Sequence, residues 1–136
     1  SVMAEAMLKK IAKEMKRDDI EVISAGIMMS SGFGATEATR ELLEREGIDV
    51  SSHLSKGLNK EMVKRSDIIL AMEKLQEERI LRIAPEVKNR LFLVKEFAKI
   101  NDNNLDIADP ISKPLDFYEK TLNTIKEAVE RIIKII

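Results

Sequence analysis

Apolar positions along the chain recur at two periods, and each change of period marks an element boundary. In "SVMAEAMLKKIAKEMKR", Met3, Ala6, Met7, Ile11 and Met15 fall near helical spacing, with Ser1 placed as N-cap and Glu5 in the first turns. A helix over 2–16 follows. "DIEVISAG" is short, rich in β-branched residues and closed by glycine, which predicts a strand over 20–25. A Gly/Ser loop, "IMMSSGFGA", comes next. "TEATRELLEREG" offers Thr36 as N-cap, Ala38, Leu42 and Leu43 on one face and Gly47 as the stop, giving a helix over 36–46. Asn59 caps a short helix over 60–66 that runs into "DIILAM", a strand over 67–72 that reads as buried on both faces. A helix over 74–83 stops before Pro85, and "RLFLVKEF" holds a second continuous apolar strand, over 90–94. From Leu115 onward Tyr118, Leu122, Ile125, Val129, Ile132, Ile133 and Ile136 share one stripe, so a long helix over 115–135 closes the chain.

Strands without polar alternation, separated by helices, predict a three-layer α/β/α fold with a central parallel sheet covered on both faces. At 136 residues the chain fits a single domain, 1–136, by the usual prior of about 100 to 200 residues, and is long enough to bury a core unaided.

Charge and composition narrow the chemistry. Lys and Arg total 23 against 24 Asp and Glu, so a net charge of -1 gives no general attraction to nucleic acid or to anionic membrane. Any anion site must be local. With no cysteine and one histidine, neither a disulfide framework nor a thiolate metal site is available, and no metal or other cofactor is expected. No apolar run approaches the ~20 residues of a membrane span, and the charged, helical start is unlike a signal peptide. A cytoplasmic protein is the expectation.

Ligands of such sheets bind outside the carboxyl ends of the strands. Ser24 closes the first predicted strand there, with the Gly/Ser loop behind it, and Asp109-Pro110 lies on the connection after the last strand. A helix opening at Ser1 adds free N–H groups and a positive dipole end to the same rim, which suits a phosphate or other oxyanion. For the Asp-Pro two readings stand. It is a turn in which Asp accepts local backbone bonds and Pro fixes φ, or it is a carboxyl held on a stiff loop to move a proton.

Taken in order, "SVMAEA" opening a helix, "SAG" closing a strand, "REGIDVSSH", "SDIILAME" and "DP" before the final helix resemble the low-molecular-weight protein-tyrosine phosphatase family, from Ser1 to the C-terminus. "VKEF" and the spacing before the closing helix look nearest to its bacterial arginine-phosphatase branch. The resemblance implies a four-stranded sheet in the order 2-1-3-4, whose first strand and phosphate loop would end immediately before Ser1. Neither the family's Cys nor its Arg of that loop is in this chain. A strand and loop are therefore expected ahead of Ser1 in the natural protein. Without them a gap one strand wide, about 9 to 10 Å instead of ~4.8 Å, should separate 20–25 from 67–72.

The implied activity is hydrolysis of protein phosphotyrosine or phosphoarginine: a thiolate attacks phosphorus, a phosphocysteine forms, and an aspartic acid protonates the leaving group and later serves as base. Asp109 matches that acid, and Ser1 the serine whose hydroxyl supports the thiolate. Ser24 matches a serine and His53 a histidine that brace the phosphate loop, although Ser24 also reads as a strand end and His53 as an ordinary surface or core residue. Ile111 stands where tyrosine-specific members usually carry an aromatic wall, a role left to Phe33 or Tyr118, and Glu73 replaces the commoner Asp. Arsenate reduction is excluded, since its electron relay needs further cysteines. The alternative to an enzyme is a catalytically silent relative that binds phosphate or a protein partner.

Overall fold

The computed structural model describes residues 1–27 and 31–136; part of the predicted Gly/Ser loop lies outside the described residues. Six α-helices and a two-stranded sheet are formed among them: α1 (Val2–Glu14), α2 (Glu37–Arg45), α3 (Lys60–Arg65), β1 (Ile69–Ala71), α4 (Lys74–Ile83), β2 (Leu91–Leu93), α5 (Val94–Phe97) and α6 (Leu115–Ile132). The strands are parallel, with Ile69 opposite Leu91 and Ala71 opposite Leu93.

Caps set the helix ends where the sequence placed them. Ser1 Oγ accepts from Ala4 N at 3.4 Å, Thr36 Oγ1 from Thr39 N at 3.3 Å and Asn59 Oδ1 from Met62 N at 2.8 Å. Each satisfies an N–H that the helix cannot pair internally. Glu73, the substituted acid, opens α4 in a reciprocal capping box, and its own N–H donates to Gln76 Oε1 at 3.3 Å. Gly47 ends α2 with φ +77°, a left-handed conformation that costs glycine little.

Two cores lie on opposite faces of the sheet, because alternate strand residues point opposite ways. Leu70 and Met72 pack into the larger core, built from Met3, Met7, Leu43, Leu122, Ile125 and Ile132 of α1, α2 and α6. Ile69 and Ala71 face the smaller one, with Val63 of α3, Ile80 of α4 and Val87. This is the expected three-layer arrangement. The predicted stripe on α6 is buried from Tyr118 to Ile133.

Two predicted elements differ, and one element was not predicted. Residues 20–25 join no ladder among the described residues; only Gly26 bridges Gly57 in parallel. Strand propensity needs a neighbour to become a strand, and 20–25 and β1 are not paired with each other. The second apolar run is strand only to Leu93, after which Val94–Phe97 turns into α5, because Ala98 N and Ile100 N find helical partners at Val94 O and Lys95 O. A 3-10 helix, Pro85–Arg90, joins α4 to β2, with Pro at its start, where no N–H is needed.

Candidate functional site

The first turn of α1 collects the predicted rim residues around one carboxylate. Glu5 Oε1 accepts from Ser24 N at 2.8 Å and from Ser24 Oγ at 3.2 Å. Glu5 Oε2 lies 3.7 Å from His53 Nδ1 and 3.5 Å from Lys9 Nζ. The Glu5 and His53 side chains keep 15% and 16% of their surface exposed, so these contacts work in a partly dry setting where charge-assisted bonds are strong. Glu5 fastens the end of segment 20–25 and the 50s loop to the helix that opens at Ser1.

The loop before α2 is sewn to the same 50s segment. Ser55 N donates to Phe33 O at 2.7 Å, Phe33 N to Ser55 Oγ at 3.0 Å and Gly32 N to Ser55 O at 2.8 Å. Gly32 takes φ +88°, which suits glycine. The Phe33 side chain is left outward and 64% exposed.

Asp109 arrives from the other side. It is exposed, and its Oδ1 accepts from Ile111 N at 3.0 Å, the local bond that the turn reading anticipates. Among the described residues Oδ2 has no hydrogen-bond partner, so one carboxyl oxygen faces outward. The Asp109 carboxylate lies close enough to the start of α1 for its charge to act there, after that of Glu5.

Ser24 and His53 thus meet Glu5 at the end of α1 that Ser1 caps, with the charge of Asp109 acting on the same end; unpaired N–H groups at a helix start favour an anion. The wall residues are not gathered in the same way. Ile111 is 59% exposed beside Asp109, but Tyr118 is only 6% exposed and belongs to the larger core, so the stripe reading describes its packing. Its place on α6 turns the ring inward, and of the three wall candidates only Phe33 and Ile111 are exposed. Sequence reasoning missed Glu5 as the hub. Its position in the first turn marks it only as a good helix opener, and nothing local predicts partners 19 residues away at Ser24.

Chemically, these residues supply an exposed carboxyl, two hydroxyls, an imidazole and a helix N-terminus, the kinds of group that oxyanion binding and proton exchange use. They offer no thiol, because the chain contains no cysteine.

A family model described as low molecular weight phosphotyrosine protein phosphatase matches residues 1–136. The chain is 33% identical over 130 residues to a probable low molecular weight protein-tyrosine-phosphatase, EpsP, of Ralstonia nicotianae, covering 96% of this chain and 83% of that protein. It is 30% identical over 132 residues to the protein-arginine-phosphatase of Geobacillus stearothermophilus, covering 97% and 84%. Among solved structures, the low molecular weight protein tyrosine phosphatase from T. tengcongensis superposes with a TM-score of 0.90 at 32% identity over 98% of this chain and 89% of that one. The YwlE arginine phosphatase from Geobacillus stearothermophilus superposes with a TM-score of 0.87 at 29% identity, covering 98% and 82%.

Proposed function

The chain belongs to the low-molecular-weight phosphotyrosine protein phosphatase family, and from that premise we propose that it carries the acid-bearing part of a phosphatase acting on phosphotyrosine or phosphoarginine in proteins. The observation that carries this reading is Asp109, exposed, with one oxygen lacking a hydrogen-bond partner among the described residues, and with its charge acting at the helix start that Ser1 caps and near which Glu5 holds Ser24 and His53.

The role of each group follows from its place. A phosphoryl group seated at the N-terminus of α1 meets free N–H donors, and Ser1 Oγ at the N-cap stands where a hydroxyl supports an attacking thiolate. Attack displaces the phenol oxygen or the guanidine nitrogen, and Asp109 delivers the proton that makes it a neutral leaving group. The same carboxylate then takes a proton from the water that hydrolyses the phosphocysteine. Pro110 limits the loop's freedom and so keeps the carboxyl aimed. Ser24 and His53, tied to Glu5, brace the rim without touching phosphorus.

The thiolate must come from outside these 136 residues, since the chain has no cysteine, and the guanidinium that clasps the equatorial oxygens belongs to the same family loop. By themselves the 136 residues turn nothing over. Phosphoarginine is favoured over phosphotyrosine or equal to it, because Ile111 supplies no ring to stack on a phenyl group.

A test is to precede Ser1 with a β-strand and a Cys, five residues, Arg loop, then to compare turnover of phosphoarginine and phosphotyrosine peptides. Hydrolysis of both, with phosphoarginine at least equal, is expected. A strong preference for phosphotyrosine contradicts the substrate reading. A folded fusion that binds phosphate without turning over either substrate favours a silent binding module.

A further inference from the structure

Lys95 is an unusual residue to find in a core. It stands on α5, 6% exposed, where burial of an ammonium is costly unless its donors are met. Lys95 Nζ donates to Asp102 Oδ2 at 2.9 Å and to Asn104 O at 2.8 Å, so both acceptors lie on the polar loop "NDNN". From there the bonds continue toward Asp109. Asn104 N donates to Asp102 Oδ1 at 3.2 Å, and Asp106 N to Asn104 Oδ1 at 3.1 Å. Asp106 Oδ1 accepts from Lys74 N, at the start of α4, at 3.0 Å, and Ile107 N donates to Met72 O, just past β1, at 2.9 Å. Two residues later comes the acid.

The stretch before Leu105 is polar: between Ile100 and Ile107 only Leu105 is apolar, and Asn103 holds φ +68°, a left-handed turn conformation that Asn tolerates. On the α6 side a groove lined by Asn104, Asp106, Ala108, Phe117 and Thr121 separates loop from helix. Ile107 anchors the far end of the loop in the larger core with α6, which leaves the polar stretch 101–104 to the Lys95 bonds.

We propose that Lys95 is the positioning residue of the acid loop: its buried ammonium, clamped on Asp102 and Asn104, sets the path of 102–107 and thereby the point from which Asp109 reaches the start of α1. This rests on the phosphatase reading for the role of Asp109, but the clamp itself is measurable without turnover. A plain packing role would be served by any side chain of similar length, whereas a clamp needs a cation with donors at that reach. Lys95→Met keeps most of the volume and removes the donors. Lys95→Arg keeps a charge with a different fork.

The experiment is amide hydrogen exchange on the 136-residue chain, wild type against Lys95→Met, Lys95→Arg and Asp102→Asn. Lys95→Met and Asp102→Asn are expected to speed exchange at Asn104, Asp106 and Ile107 by at least tenfold, with amides of Leu70, Ile125 and Val129 unchanged. Lys95→Arg should restore part of the protection. Uniform acceleration in the loop and the core alike would make Lys95 an ordinary stability residue, and unchanged loop exchange in Lys95→Met and Asp102→Asn would remove the clamp; either overturns the proposal. Asp102→Asn keeps the loop exposed and soluble, so it reads the clamp even where Lys95→Met fails to fold. In the fusion bearing a phosphate loop, Lys95→Met should lower kcat more than it changes KM, most for esters with poor leaving groups. Equal losses across leaving groups would leave a clamp that does not aim the acid. An inactive wild-type fusion together with an intact exchange pattern would fault the phosphatase reading and spare the clamp.

Discussion

Replacing Glu5 by Ala tests whether the site is organised around one carboxylate. The side chain accepts two hydrogen bonds from Ser24, at 2.8 and 3.2 Å, and stands within 3.7 Å of His53 and 3.5 Å of Lys9. Bonds to a charged acceptor contribute roughly 1.5 to 3 kcal/mol. Loss of an acid from the first turn of a helix adds about 0.3 to 1 kcal/mol. Lys9 is more than half exposed, so its ion pair is worth little. Taken together, Glu5→Ala should cost about 2 to 4 kcal/mol, which for a chain of this size corresponds to roughly 6 to 12 °C in Tm. Glu5→Gln retains an acceptor for Ser24 and should cost about half as much. The control is Glu14→Ala, whose partner Lys10 lies at 3.9 Å with Glu14 61% exposed, and which should change stability by less than about 0.5 kcal/mol. Urea unfolding of the three variants at neutral pH decides the matter. A Glu5→Ala loss no larger than the Glu14→Ala loss would refute the hub and leave Ser24 and His53 held by packing alone.

Two further outcomes are expected. Gly47→Ala should cost about 1 kcal/mol by equilibrium unfolding, because φ is +77° and a Cβ there meets nothing within 4 Å, so strain alone acts; no loss would mean that the turn relaxes. The hydrogen bond from Lys95, ahead of the one from Asn104 N, holds the Asp102 carboxyl below its ordinary value of 3.8. A depressed carboxyl stabilises the fold fully above that ordinary value and loses the contribution as pH falls through the lower folded value, so exchange protection of 104–107 should persist at pH 5 and fade only below pH ~3.8. Fading already between pH 6 and 5 would assign the effect to another group.

The helices were legible because their signals are local. Thr36, Asn59 and Gly47 cap or stop helices from positions a reader can name, and the α6 stripe reports one buried face directly. Segment 20–25 was not, since its β-branched residues describe a preference that only a neighbouring strand can realise. "RLFLVKEF" misled for a related reason: an apolar run does not say where a strand ends and a helical turn begins. At the candidate site, Asp109 and Ser1 could be nominated from the motif order, whereas the contacts of Glu5 and Lys95 could not. Their partners lie far along the chain or on a polar loop, and only folding brings the groups together. Tyr118 shows the converse: an aromatic near the acid in sequence is turned into the core by its register on α6.

The most direct measurement of the central claim is turnover of Asp109→Asn in the fusion that carries a Cys and Arg phosphate loop ahead of Ser1. Asn keeps the turn bond to Ile111 N and removes only the proton donor. The account predicts a fall in kcat of roughly 10²- to 10⁴-fold on a poor leaving group, a smaller fall on an acidic phenol, and unchanged unfolding stability. Equal turnover of Asp109→Asn and the parent fusion on the poor leaving group would contradict it and return Asp109 to the role of a turn residue.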